Sequence, residues 1–206
     1  SEDAACRLLG DIQAELEYND RLKRDFGEQK PAGGDWTDGE FKANCGVKFL
    51  ACGRGQSPRG LRDREARPDY IVIDDLDDDE LCKNEKRVRE LTSWVKSALF
   101  GSLDVGRGRF IMVGNLISKN SVLYNIANTK GVFLSKVYAV DKNGDPVWKE
   151  KWTREEVDAY REFVGYRDWN KEMMHNPIID GSIFRHEWIK YKRMPRLTRY
   201  DALVCY

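Results

Sequence analysis

The sequence predicts an α/β protein built on a mostly parallel sheet flanked by helices. Three observations carry that expectation. Tyr70-Ile-Val-Ile73 and Phe110-Ile-Met-Val113 are unbroken apolar runs of strand length. Neither has a polar residue to mark a wet face, which is the habit of central parallel strands covered on both faces. Between them, residues 80–100 place Leu81, Val88, Leu91, Val95 and Leu99 at helical spacing, predicting one apolar helix face. Strand, helix and strand in that order fit a right-handed crossover between parallel neighbours.

The bulk composition narrows the class. A chain of 206 residues can build one good core with a small extension. Lys plus Arg and Asp plus Glu number 35 each, for a net charge of zero. That excludes a strongly basic nucleic-acid module but leaves room for a local basic patch. No apolar run reaches membrane-spanning length and none reads as a signal peptide, so no membrane partner is expected. Cys6, Cys45, Cys52, Cys82 and Cys205 are scattered, form no CxxC pair, and have only His175 and His186 as imidazole company. Reduced thiols in a cytosolic protein are expected, not a structural zinc site.

The first apolar run ends in acid. Pro68 stands at the strand's entrance, where its missing N–H costs least, and Asp74 and Asp75 arrive at its carboxyl end. Ligands of open α/β sheets bind in the crevice outside the carboxyl ends of the strands. Two adjacent carboxylates there stay ionised cheaply only beside a cation or a protonation event. Four apolar residues followed by Asp-Asp resemble a Walker B element, one carboxylate near a nucleotide-bound magnesium and one handling the attacking water. The plainer alternative is a solvated loop capping the next helix; Asp77, Asp78, Asp79 and Glu80 fit an acidic first turn of that kind.

The remaining segments follow in order. Residues 3–24 predict a core-facing helix, with Ala5, Leu8, Leu9, Ile12, Leu16 and Leu22 at helical spacing. A loop with Pro31, Gly33 and Gly34 leads to two short strands at residues 40–44 and 47–52, joined by a turn at Asn44-Cys45-Gly46. Gly55 and Gly60 have the glycine spacing of a phosphate loop, but Leu61-Arg62 stand where Lys and Ser or Thr belong. Gly106-Arg107-Gly108 leads into a strand, so neither segment is a P-loop. Arg54, Arg59, Arg62, Arg64 and Arg67 still concentrate five guanidiniums in fourteen residues. They suit bidentate phosphate contacts, with Arg59 favoured by its flanking Pro58 and Gly60, or else pair with the acidic loop.

The second apolar strand ends at Gly114-Asn115. Asn115 is placed either to sense a terminal phosphate or to make a turn. A short helix at 121–128, a strand at 132–140 and a hairpin turn at 141–145 into 146–148 come next. Thr153-Arg-Glu-Glu156 is a capping box opening a helix to about residue 163. A second helical piece, 166–175, follows Gly165 and closes at Asn176-Pro177. Trp148, Trp152, Trp169 and Trp188 are expected as satellite-core aromatics. The tail at 184–199 mixes basic and aromatic residues, and residues 200–206 start a new strand.

Taken in order, Gly53-Arg-Gly-Gln-Ser-Pro-Arg-Gly-Leu-Arg62, Arg67-Pro-Asp-Tyr-Ile-Val-Ile-Asp-Asp-Leu-Asp77, Phe110-Ile-Met-Val-Gly-Asn115 and Asn176-Pro-Ile-Ile-Asp-Gly-Ser-Ile-Phe184 resemble the large terminase subunit of tailed bacteriophages. That family is the ATP-driven motor that packages double-stranded DNA into procapsids, and it usually carries a second, nuclease domain. The resemblance implies a three-layer P-loop NTPase-like fold of the additional-strand type, incomplete at its N-terminus. It divides the chain into a partial ATPase domain at 1–165, a linker or subdomain at 166–199 and the start of a nuclease-like domain at 200–206. Asp74 would hold magnesium, directly or through water, and Asp75 would stand where the family has its catalytic carboxylate, more often Glu. Arg59 matches an arginine that in some members is a finger on a neighbouring subunit's ATP. Asn115 falls in the motif coupling hydrolysis to movement. ATP and Mg2+ are the implied cofactors. Double-stranded DNA, a portal protein, a small terminase subunit and further copies of the chain are the implied partners, in the host cytoplasm of a phage or prophage. The family's Walker A loop would lie upstream of Ser1 and its first nuclease carboxylate downstream of Tyr206, so the 206 residues alone are expected not to hydrolyse ATP.

Two other readings compete. A metal-dependent nuclease could use Asp74, Asp75 and Asp77 with two magnesium ions, if Asp104, Asp141 or Asp201 joined them. A non-catalytic assembly fragment is the third.

Overall fold

Local capping chemistry divides the chain into its elements. A computed structural model describes residues 2–34, 36–56 and 67–178. Helix α1 (Glu2–Tyr18) ends where Asn19 caps α2 (Asp20–Phe26), its side chain accepting from the Arg21 and Leu22 backbone N–H groups. The single helix expected over 3–24 is therefore two, because Asn satisfies a helix N-terminus better than it continues a helix. The apolar face of α1 is also partly bare: Leu9 is buried, while Leu8 and Ile12 are about half exposed.

Strands β1 (Trp36–Thr37), β2 (Glu40–Lys42) and β3 (Lys48–Leu50) form an antiparallel sheet in that order, with Phe41 opposite Phe49. Gly46, at φ +90°, makes the expected turn. Phe41 is fully buried between Trp36 and Phe49, with ring centroids at 4.6 and 4.7 Å.

The second sheet is parallel. Strand β4 (Tyr70–Asp74) pairs with β5 (Arg109–Val113) in a register that sets Tyr70 against Arg109 and Asp74 against Val113. Between them lie α3 (Asp79–Cys82), capped by Asp78, and α4 (Glu85–Trp94), capped by Asn84. A π-turn at Val95–Leu99 continues α4. The expected 80–100 helix is thus interrupted at Lys83-Asn84, yet Leu81, Val88, Val95 and Leu99 all reach the core. They pack with Ile73 and with Val122 and Ile126 of α5 (Val122–Ala127).

The sheet departs from the three-layer expectation. Ile71, Ile73, Phe110 and Met112 face the helices, whereas Tyr70 and Val72 are 54% and 55% exposed and Ile111 and Val113 are also open. Among the described residues, then, helices cover one face of a two-stranded parallel sheet. Alternation along β4 follows from the strand period of two. Val72→Thr is expected to change stability by less than about 0.5 kcal/mol. Ile73→Thr, which buries a hydroxyl in the core, should cost about 2–3 kcal/mol. Urea unfolding of the two variants checks the difference.

Residues 132–138 form no strand, contrary to expectation; what pairs nearby is Val140 with Pro146, a bridge around the 141–145 turn, and Ala139 donates to the Met173 carbonyl. The run has β-branched and aromatic residues, but a strand needs a neighbour to bond, and Phe133 stays 91% exposed. The capping box at Thr153 and Glu156 is present and opens α6 (Arg154–Asp168). Gly165, at φ +78°, kinks α6, and a π-turn at Trp169–Met173 carries it on. Trp169 is buried, as a satellite-core aromatic should be, but Trp148 is 60% exposed. Residues 179–206, and with them Trp188 and the segment at 200–206, lie outside the described residues. No helix among the described residues is long and apolar enough to cross a membrane.

Candidate functional site

The carboxyl ends of β4 and β5 lie side by side, so the parallel register alone brings Asp74, Asp75 and Gly114-Asn115 to one end of the sheet. Asp74 alternates with Tyr70 and Val72 and is exposed on the open face. Asp75 turns out of the strand at φ +42°, in the left-handed region. Its backbone N–H still donates to the Val113 carbonyl at 3.2 Å, extending the ladder by one bond. A side chain at Gly114 would meet the Asp75 carboxylate at 3.5 Å, so glycine there leaves that oxygen open to the crevice. The crevice is bounded by Asp75, Asp77, Gly114, Asn115 and Leu123 and offers about 10 Å³, the room one water needs.

The acidic run is sorted by its partners. Asp77 accepts from the Val122 and Leu123 backbone N–H groups at 2.8 and 2.7 Å, holding the N-terminus of α5 rather than the helix that follows it in sequence. Burial pushes its carboxyl above the ordinary range against those two bonds, helped by the Asp78 charge. Asp78 caps α3 through the Leu81 N–H at 2.6 Å and pairs with Arg54 at 2.9 Å. The Leu81 N–H, then Arg54, hold it below the usual carboxylate range. Asp79 binds Lys171 at 2.6 and 2.8 Å. Asp74 and Asp75 make no side-chain hydrogen bond or ion pair with any described residue. Among the described residues the two carboxylates at the strand end are the free ones, and the next three hold the fold together. Cys82, half-buried behind this cluster, has its thiol pushed up to about 11 by burial and the Asp77, Asp79 and Asp78 charges, which keeps it an inert thiol at neutral pH.

Asn115 donates to Glu172 Oε2 at 3.0 Å. With Lys171–Asp79, this seats the end of the α6 segment on the carboxyl end of the parallel sheet. Sequence reasoning missed Lys171, Glu172 and the capping role of Asp77. These contacts span 92, 57 and 45 residues, and no local spacing signals them. Arg54 also donates to the Leu76 carbonyl at 3.3 Å, so the glycine-rich segment touches the acidic loop, as the plainer reading of these arginines expects. Arg59, Arg62 and Arg64 lie outside the described residues.

Among the described residues, no three His, Cys, Asp or Glu groups gather to hold a metal ion. Magnesium is commonly held by one or two carboxylates together with waters and substrate phosphates, and Asp74 with Asp75 fit that mode. A two-metal nuclease needs more. Asp104 bonds through its backbone to Pro68, at the opposite end of β4, and Asp141 folds its own turn by accepting from Asn143 and Asp145. Asp201 is outside the described residues.

Compared with family models, with curated proteins and with solved structures, the chain matches none.

Proposed function

We propose that the chain carries the acidic strand and the adjoining coupling strand of a large terminase subunit, the ATP-driven motor that moves double-stranded DNA into procapsids. The observation that carries this reading is the pair of carboxylates, Asp74 and Asp75, without a side-chain partner among the described residues, at the end of β4, next to Asn115 on a parallel neighbour. In this reading the fold is of the P-loop NTPase additional-strand type. Asp74 would hold a magnesium ion, which would neutralise charge on a nucleotide's phosphates, and Asp75, over its one-water crevice, would orient and deprotonate the attacking water. Arg59 reaches a neighbouring copy's nucleotide. Asn115 passes a shift at the strand end to the α6 segment through Glu172. A portal protein, a small terminase subunit and other copies of the chain are the partners.

The 206 residues contain no GxxxxGK[ST] sequence to cradle phosphates, so the isolated chain is expected to turn over no ATP. The test uses the full product of its gene with magnesium, ATP, DNA and procapsids. Turnover and packaging that are lost in Asp74→Ala with folding intact support the motor. Turnover indifferent to Asp74 and Asp75, or plasmid cleavage with manganese alone, would sink it.

A further inference from the structure

Tyr138, Trp148, Trp152, Tyr160, Trp169 and His175 line a cleft of about 230 Å³ beside the 141–145 turn and α6. Trp169 is buried and Trp148 exposed, so the cleft opens to solvent on the Trp148 side. Its rings are inclined to one another. Trp152 and Tyr160 meet at 45°, Tyr160 and Trp169 at 64°, and Tyr138 and His175 at 56°. Inclined rings make a cage, whereas a planar base needs parallel faces to stack on. The volume is below that of a drug-sized pocket and matches a compact head group.

The charge of the cleft has a sign. Glu172 and Asn115 are among its lining residues, and Asn115 also borders the crevice of Asp75 and Asp77. Lys171 stands 3.4 Å from Glu172 but binds Asp79 at 2.6 Å, so its charge is already shared. Each Glu172 oxygen retains acceptor capacity beyond its present partner. The ring faces already attract cations from the chain itself. Lys151 Nζ lies 4.9 Å from the Trp148 centroid and 5.9 Å from that of Trp152, and the Arg161 guanidinium lies 5.9 Å from Trp169.

The geometry points to a binding site for a small organic cation, an alkylammonium or guanidinium group, held by the aromatic cage with its charge toward Glu172. Aromatic faces attract such cations through their quadrupoles, most strongly where water is excluded. Lys151 competes for the same rings. The site shares Asn115 and Glu172 with the proposed coupling path, but binding of the cation there does not require a nucleotide at Asp74 and Asp75.

The probe is choline, titrated into the chain while the indole N–H resonances are followed by NMR. Saturable shifts at Trp152 and Trp169 are expected, with the uncharged tert-butyl analogue of choline binding about tenfold more weakly or worse. Lys151→Ala should tighten choline binding severalfold by removing the competitor. Glu172→Gln, which keeps an acceptor for Asn115, should weaken it about tenfold. Equal affinity for the uncharged analogue would reduce the site to an apolar cleft and overturn the proposal. So would the absence of saturation, or AMP shifting the same resonances with Lys151→Ala weakening it.

Discussion

Asp77→Ala is expected to lower the unfolding free energy by about 2 kcal/mol, while Asp74→Ala, three residues away, shifts it by less than about 0.5 kcal/mol. The argument is one of partners. Asp77 accepts two backbone N–H groups that α5 cannot satisfy within itself, and a hydrogen bond to a charged group is worth about 1.5–3 kcal/mol. Burial outweighs those two bonds in setting the proton affinity of the carboxyl, so the loss expected on truncation comes from leaving two N–H groups at the helix start without their acceptor. Asp74 is exposed and its side chain makes no such bond to any described residue. Chemical denaturation at neutral pH separates the two. Equal losses would mean that the acidic run acts as one structural unit, and the motor reading would lose its free carboxylates.

Acid titration divides the same run by sign. The Asp77 pKa is raised on folding, so its titration contributes stability that is fully present below the unfolded pKa and is lost as pH rises through the folded value. The Asp78 pKa is depressed, so its contribution is present above the unfolded pKa and is lost as pH falls through the folded value. Asp77→Asn should therefore compare better with the parent at neutral pH than in acid. Asp78→Asn, which keeps an N-cap, should compare better in acid than at neutral pH. Melting temperatures across the acid range check both.

Much of the site was legible because it is local. An apolar run of strand length, an acidic stop and a second apolar run place Asp75 and Asn115 at adjacent strand ends once the strands are parallel, and they are. The Thr153 capping box was equally legible, since its two hydrogen bonds close within four residues. What failed depends on partners distant in sequence. Residues 132–138 have the side chains of a strand but no neighbouring edge among the described residues, and side-chain preference alone does not make a ladder. The apolar composition of β4 and β5 speaks for both faces of the sheet, while the described residues cover one, leaving Tyr70, Val72, Ile111 and Val113 open. Asp77 looked like part of an acidic first turn. Its real partner, the N-terminus of α5, is placed there by the core packing of Val122 and Ile126.

Asp75→Gly is expected to do two opposite things. Asp75 sits at φ +42°, where an L-residue other than Gly is strained, though Asp less than most. Glycine relieves that strain, and the variant should be more stable than the parent by about 0.5 kcal/mol, close to the gain left after glycine's own entropy cost. If the motor reading holds, the same change in the full gene product removes the carboxylate over the one-water crevice, and turnover should fall by about 10²–10⁴-fold, the range for loss of a positioned base. On the motor reading the conformational cost at Asp75, whose side chain has no partner among the described residues, serves the chemistry. Asp75→Asn tolerates the same backbone without the charge, so it should match the parent in stability and the glycine variant in activity. Stability that falls in the glycine variant, or turnover that survives in the asparagine variant, would show that Asp75 serves the turn and not the reaction.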